Sequence, residues 1–547
     1  MSKKVLIVKV FLCLSMGLLL GTLLISCGGG GSGGSTAITL DSIEITSTSS
    51  LIAQGSTEQF SATGTFSDGT TQAMTTSVTW SSSDTNVAMI SNLAGSAGLA
   101  TSTRVTVGTT IITATDPASG ISGSTMLTVA IKITAGADHT CALLDNGSVK
   151  CWGSNFSGSL GLGDQNKRGD APGEMGDNLP AVDLGAGRTA VAIDAGTNLT
   201  CALLDNGAVK CWGDNGFGEL GQGDAVDRGK IPGEMGDNLP AIDLGTGRTA
   251  MAIAAGANHT CVLLDNGSVK CWGSNFSGEL GQGDQTRRGD DFGEMGDNLP
   301  AVDLGAGRTA VAIAVGDVNF HSCALLDNGM VKCWGDNGFG QLGQGDTITR
   351  GDTPGEMGDN LPAIDLGTGR TAVAIDAGGF HTCALLDNGM VKCWGGAATQ
   401  GLGDINNRGD DPGEMGDNLP AVDLGAGRTA VAIAAGGIHV CVLLDDASLK
   451  CWGDNTSGKL GLGDVVDRGD GPGEMGDNLP AVELGTGRIA MTISPGFNHS
   501  CALLDDDSIK CWGENGSGQL GQGDMDNRGD DPSEMGDNLP AVDLGTQ

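Results

Sequence analysis

Tyrosine is absent from this chain of 547 residues, and aromatic residues of every kind make up only 3%. A core with that composition must rest on small aliphatic side chains and a few aromatic ones at fixed places. Basic residues are scarce as well: 29 Lys and Arg stand against 66 Asp and Glu, for a formal net charge of -37. Residues 1–130 hold 6 of the acidic and 4 of the basic side chains, so the excess lies almost wholly in the remainder. A field of that sign repels phosphate backbones and argues against nucleic acid as a partner; a solvated acidic surface is the plain reading. Catalytic signatures are missing too, with no Ser/His/Asp elbow, P-loop or His-Glu-x-x-His pattern. Beyond residue 25 no run is long and apolar enough to span a bilayer, and no segment shows useful helical periodicity.

What fills the chain is a unit of about 60 residues that occurs seven times. Its core reads CALLDNGSVKCWG at Cys141–Gly153 and restarts at Cys201, Cys261, Cys323, Cys383, Cys441 and Cys501. One such unit cannot bury its own apolar face and must stack on its neighbours. Each unit opens on an alternating run (Ala250–Gly256 in the third), continues through the cysteine hairpin and a Gly-rich segment (Ser274–Asp284), and closes on GEMGDNLPAVDLG (Gly293–Gly305). Three or four short strands per unit are expected. Because nearly every polar residue recurs, no residue stands out as a lone catalyst, and the chain is read as a non-enzyme.

The N-terminus reads as an export signal. Lys3 and Lys4 precede an apolar run from Val5 to Ile25, interrupted by Lys9. The run ends in Leu24-Ile25-Ser26-Cys27, which resembles the bacterial lipoprotein signal. That resemblance implies cleavage before Cys27, lipid on Cys27, and a flexible Gly/Ser tether over 27–36. The expected location is the bacterial cell envelope, lipid-anchored to a membrane, most simply the outer one.

Of the 16 cysteines, Cys13 lies in the signal and Cys27 is the lipid site. The other fourteen form pairs with nine residues between. Cys141 goes with Cys151, Cys201 with Cys211, Cys261 with Cys271 and Cys323 with Cys333; Cys383 goes with Cys393, Cys441 with Cys451 and Cys501 with Cys511. A paired set in an exported chain reads as disulfides, and zinc would need closer groupings. The turn Asp145-Asn146-Gly147 suits a three-residue loop with glycine in the left-handed region. That register pairs residue 144 with 148 and 141 with 151, which sets the cysteines opposite each other and within disulfide reach. Each bond would contribute about 2–3 kcal/mol by the chain-entropy model.

Residues 37–131 differ from the rest: they are rich in Thr and Ser, with alternating runs at Ser77–Trp80 and Thr125–Val129. Gln59–Gln72, Val78–Asp84 and Thr109–Val129 resemble the group 2 bacterial immunoglobulin-like domain, which implies a β-sandwich spacer or adhesive module. The pattern GxxHTCALLxxGxVxCWGxNxxGxLGxGD, as at Gly256–Asp284, resembles the repeat of the regulator of chromosome condensation family, which implies a seven-bladed β-propeller. The cysteine pair and the GEMGDNLPAVDLG extension depart from that family's usual repeat. The seventh unit stops at Gly545, where another alternating run would begin, and Thr128–Thr134 is expected to supply that strand and close the ring. The fold class is therefore all-β: signal at 1–26, tether at 27–36, immunoglobulin-like sandwich at 37–131 and propeller at 132–547.

Recurrent residues are weighed as scaffold first. All six histidines, His139, His259, His321, His381, His439 and His499, share one repeat position, where unit two has Leu199; buried hydrogen-bonding is expected of them. The seven tryptophans from Trp152 to Trp512 are expected to pack between blades. Arg-Gly-Asp occurs six times, as at Arg168–Asp170, and reads as a structural turn with an internal Arg–Asp contact. Acidic loops such as Asp214-Asn215 with Asp224 and Asp227 offer oxygen ligands of the kind calcium takes, though no EF-hand spacing is present and no cofactor is expected. Function is sought where the repeats differ: Leu199, Lys230, Phe292, Val315 to Phe320, and the shortened Gly396 to Gln400. The expected role is binding a protein or surface polymer through propeller loops, by a monomer. A structural or adhesive surface component is the alternative, and nucleotide-exchange-like regulation stands on family analogy alone.

Overall fold

The computed structural model describes residues 38–546 apart from 48–50, 54–56, 84, 86, 94, 103–107, 131–132 and 317–319. The signal segment, Cys27 and the whole tether lie outside the described residues. The first domain is built of short strands in three small sheets. Leu40–Thr46, Ser61–Phe66 and Thr71–Ala73 form one; Leu51–Ala53, Ser122–Ala130, Gly108–Thr115 and Thr79–Ser82 form the second; Thr57–Gln59, Leu99–Ser102 and Ala88–Ile90 form the third. Alternation along the strands sends Trp80, Ile112 and Leu127 into one apolar core, which Phe60 joins from the break between Thr57–Gln59 and Ser61–Phe66.

The repeats form seven antiparallel sheets of three strands each. In the third, the inner, middle and outer strands are Ala250–Ala255, His259–Leu264 and Val269–Gly273. Every residue of that middle strand is buried, because both faces of the sheet are covered by the adjacent sheets. Inner strands of successive sheets touch one another around a ring, and Ile133–Ala135 of the first sheet meets both Ala190–Ala195 and Ala490–Pro495. The expected fourth strand is reduced to a single bridge per unit, such as Gly273 to Arg288.

At the inner end of each sheet the backbones nearly meet. A Cβ on Gly196 would lie 1.9 Å from the Gly256 carbonyl oxygen, and one on Gly496 would lie 2.3 Å from that of Gly136. Gly136, Gly256, Gly316, Gly378 and Gly436 stand in the same relation to their neighbours, so only glycine fits this circle.

The hairpin register is the one expected from the cysteines. Leu144 N–H donates to the Ser148 carbonyl, Gly147 has φ of 75°, and Cys141 faces Cys151. All seven disulfides are formed, with Cα separations of 4.0–4.1 Å. Cys141 is bonded to Cys151, Cys201 to Cys211, Cys261 to Cys271 and Cys323 to Cys333. Cys383 is bonded to Cys393, Cys441 to Cys451 and Cys501 to Cys511. The last two units keep the turn without glycine, placing Ala447 and Asp507 at φ of 67° and 63°.

The GEMGDNLPAVDLG extension is a strap to the next sheet. Gly296 N–H donates to the Asp243 carbonyl, and Lys270 Nζ donates to the carbonyls of Leu244 and Gly296 at 3.0 and 2.7 Å. The last strap closes on the first sheet: Gly176 N–H donates to the Asp543 carbonyl, and Lys150 Nζ to that of Leu544. Ring closure thus uses both ends of the repeat region. The closing strand is shorter than Thr128–Thr134, however. Thr128–Ala130 pairs in parallel with Leu51–Ala53 in the first domain, and only Ile133–Ala135 joins the ring.

Fourteen paired cysteines are expected to take up no alkylating reagent under denaturing, non-reducing conditions and one equivalent each after reduction; intact mass measures this, and free thiols before reduction would contradict the pairing.

Candidate functional site

The recurrent polar residues are committed to the ring itself. His139 Nε2 lies 2.8 Å from Thr200 Oγ1 of the next sheet, His259 2.8 Å from Ser322, His439 2.8 Å from Ser500, and His499 2.8 Å from Thr140. His321 meets Thr382 at 3.0 Å. His381 is the exception. The sixth sheet offers Val440 where the others have a hydroxyl, and both ring nitrogens of His381 are buried without a partner. Burial pushes His139 down to about 4 and His259, His381 and His499 down to about 3, so these imidazoles are neutral at physiological pH.

Around the axis the inner strands present Thr134, Asp194, Ala254, Ala314, Asp376, Ala434 and Ser494 at one level. The oxygen-bearing members latch sheet to sheet. Asp194 Oδ2 accepts the Ala255 amide at 2.8 Å, Asp376 Oδ2 the Ala435 amide at 2.8 Å, and Ser494 Oγ the Ala135 amide at 2.9 Å. The sixth sheet has Ala434 at this level, and the next sheet has Pro495 where the others offer an amide to donate. Enclosure within the ring pushes Asp194 up to about 7, with the Asp376 charge adding to the effect, and pushes Asp376 up to about 6.

The Arg-Gly-Asp turns are structural, but the arginine does not pair with its own aspartate. Arg168 binds Asp164 at 2.6 Å, and its equivalents from Arg228 to Arg528 bind the aspartate four residues upstream at 2.6–2.8 Å. The acidic loop considered for calcium does not fit that ion. Asp224 holds Arg228 and the Asn215 side chain, while Asp227 holds the Asn215 amide and Lys230 at 2.9 Å. Among the described residues no group of three or more His, Cys, Asp or Glu is arranged around a metal position.

One end of the ring is different in kind. There the inner strands end, the middle strands begin and the outer strands end, so the loops at 136–138 and 154–158 and their equivalents share one face. Eight of the eleven phenylalanines belong to the propeller, all on this face or its rim: Phe156, Phe217, Phe276, Phe292, Phe320, Phe339, Phe380 and Phe497. Phe217 and Phe276 meet edge-on at 5.6 Å between ring centres, as do Phe339 and Phe380 at 5.2 Å. Lys230 Nζ lies 5.6 Å above the Phe156 ring, and Arg287 lies 5.9 Å above Phe217. Phe156 is 78% exposed and Phe292 98% exposed. Sheets six and seven carry Thr456 and Ser517 instead, so the aromatic row is an arc. The opposite face repeats Arg–Asp pairs, such as Arg248 with Asp265 at 3.0 Å.

Of the irregular positions, Lys230, Phe292 and Phe320 lie on the aromatic face or its rim and reach its surface. Leu199, Val315, Gly396 and Gln400 do not: they are buried and cannot touch a partner. Leu199 fills the histidine position with no imidazole to satisfy, and Gln400 turns inward to donate to the Gly395 carbonyl. The phenylalanine arc is not among the irregular positions singled out from sequence, although Asn155-Phe156, Gly216-Phe217, Asn275-Phe276 and Gly338-Phe339 stand one per unit in the first four repeats.

Residues 91–485 match the RCC1-like domain, residues 492–519 the regulator of chromosome condensation (RCC1) repeat, and residues 39–129 the bacterial Ig-like domain (group 2). The ultraviolet-B receptor UVR8 of Arabidopsis thaliana is 28% identical over 72% of this chain and 79% of its own length. The human E3 ubiquitin-protein ligase HERC2 is 27% identical over 61% of this chain but only 6% of its own length. Among solved structures, human WBSCR16 superposes with a TM-score of 0.51 at 19% identity, covering 68% of this chain and 86% of that one, a likeness of fold.

Asp194 and Asp376 are more readily protonated in the fold than in the unfolded chain. Their contribution is fully present below about pH 4 and is lost as pH rises towards their folded values of about 7 and 6. The double variant carrying Asp194→Asn and Asp376→Asn is therefore expected to gain stability relative to the parent between pH 4 and pH 8, whatever constant offset the lost acceptor oxygens add. Urea unfolding across that range measures it, and a pH-independent difference would contradict the raised values.

Proposed function

This chain belongs to the RCC1-like domain family, and from that premise we propose that it is a binding module whose phenylalanine face docks a protein partner. The observation that carries the reading is the segregation of every propeller phenylalanine to one face or its rim, flanked by Lys230 and Arg287, on a ring whose other face repeats satisfied Arg–Asp pairs. Exposed aromatic clusters with arginine nearby are typical of protein interfaces. The likeness to regulators and receptors of this family supports a binding role rather than turnover.

The same proposal places the protein outside the cytoplasm, attached through lipid on Cys27 and presented by the immunoglobulin-like spacer. Seven disulfides support an oxidising compartment.

A photo-crosslinking residue at Phe156 or Phe292 is expected to capture a discrete protein adduct on intact cells, while the same residue at Asn266 on the opposite face captures none. Equal capture from both faces, or none from either, would refute the docking face.

A further inference from the structure

The seven sheets are near-copies, so each serves as a control for the others. In the Gly-rich segment after each outer strand, one residue before a buried leucine or its equivalent, stands a residue at most 4% exposed: Ser159, Glu219, Glu279, Gln341, Thr399, Lys459 or Gln519. Where this side chain is long and carries oxygen, one oxygen accepts the amide two residues earlier. Phe217 N–H donates to Glu219 Oε2 at 2.7 Å, Ser277 N–H to Glu279 Oε2 at 2.7 Å, and Phe339 N–H to Gln341 Oε1 at 2.9 Å.

In the third, fourth and sixth sheets the terminal atom turns to the residue five positions back, and there a donor meets an acceptor. Gln341 Nε2 donates to Asp336 Oδ2 at 2.8 Å, and Ser274 Oγ donates to Glu279 Oε1 at 2.6 Å. Lys459 Nζ pairs with Asp454 Oδ1 at 2.6 Å. The second sheet breaks this rule. Its two positions hold Glu219 and Asp214, both carboxyls, and Glu219 Oε1 is buried with no hydrogen-bond partner. An unpaired buried carboxylate oxygen is costly, so something that the other sheets supply by sequence must be supplied here in another way.

Geometry limits what that is. In the sibling sheets the corresponding atoms lie 2.6–2.8 Å apart, a spacing that one proton held between two carboxyls would also fit. A calcium ion holds each oxygen at about 2.3–2.6 Å from itself and would force the two carboxyls further apart. We infer that Glu219 and Asp214 share one proton and so form a pH-sensitive latch beneath the phenylalanine arc.

With the proton in place, Glu219 donates from Oε1 to the Asp214 carboxylate while its Oε2 holds the Phe217 amide. The loop at 214–219 is then pinned, with Phe217 against Phe276 and under Arg287. When the proton leaves, two like charges face each other in a buried loop. The charged groups around them do not relieve this. Asp227 adds a further negative charge and is itself engaged by Lys230, while Asp224 is engaged by Arg228. From the third sheet, Arg287 sits over the Phe217 ring and pairs with Asp290 at 3.4 Å. Burial first, then the charges of Asp214 and Asp227, push Glu219 up to about 7, which brings the release of the proton within the physiological range. The latch stands on the loop geometry and does not depend on the identity of any partner.

Hydrogen exchange of the full-length chain tests this, with the fourth-sheet loop at 336–341, where Gln341 takes the place of Glu219, as the internal standard for the base-catalysed rise in exchange. Between pH 6 and pH 8.5 the 214–219 loop is expected to lose protection several-fold more than the 336–341 loop. Glu219→Gln and Asp214→Asn each supply the amide donor that Gln341 supplies to Asp336, and each is expected to make the two loops respond alike. Equal responses of the two loops in the parent protein would overturn the latch. So would restoration of the 214–219 loop at pH 8.5 by added calcium, which would make the gap a cation site.

Discussion

The structure depends on one contact made seven times: a buried indole reaching across to a carbonyl of the preceding sheet. Trp272 Nε1 donates to the Glu219 carbonyl at 2.9 Å, and Thr260 Oγ1 donates to the same oxygen at 3.0 Å. Trp212 with Ser159, Trp334 with Glu279 and Trp512 with Lys459 repeat the bond. Three short strands cannot bury two apolar faces by themselves. With no tyrosine and few aromatics, the chain places one large side chain per interface and fixes it by a directional bond. The disulfide behind each indole holds the middle and outer strands in the register that aims it.

Once this scaffold is formed, most of the repeated polar groups are engaged in it, although Nδ1 of His259, His439 and His499 is buried without a partner. The histidines meet hydroxyls of the next sheet, His381 apart; the Arg-Gly-Asp arginines hold upstream aspartates; and the lysines of the outer strands bridge the straps. What remains free to act is what fails to repeat. The phenylalanine arc, Lys230 and Arg287 break the symmetry on one face, and the Glu219–Asp214 pair breaks it just beneath. A ring with near-identical sheets thus acquires a distinct side without altering its core.

Much of this was legible in the sequence, because spacing carries it. The cysteine register set the hairpin loop, since only a three-residue turn places Cys141 opposite Cys151, and the tryptophan in each unit marked the interfaces. Asymmetry was harder to read. Leu199, Val315, Gly396 and Gln400 depart from the repeat yet are buried, because an irregular residue is as often a packing adjustment as a contact. The phenylalanines are hard to align in sequence because they shift by one position between units, at Asn155-Phe156 and Gly216-Phe217, while keeping one place on the face. Asp194 and Asp376 differ from Ala254 by a single letter in an alternating run, and only the ring shows that they lie around one axis. Thr128–Thr134 read as one strand because its alternation is continuous, although its two ends belong to different domains.

The central claim is that the seventh and first sheets meet as any other pair does. Trp152 Nε1 donates to the Gln519 carbonyl at 2.9 Å, as Trp334 does to Glu279. The direct measurement is the unfolding free energy of Trp152→Phe beside that of Trp334→Phe. A closed ring predicts equal losses, of about 0.5–1.5 kcal/mol for the bond plus the change in packing. A loss at Trp334 with none at Trp152 would show an open seam and contradict the account.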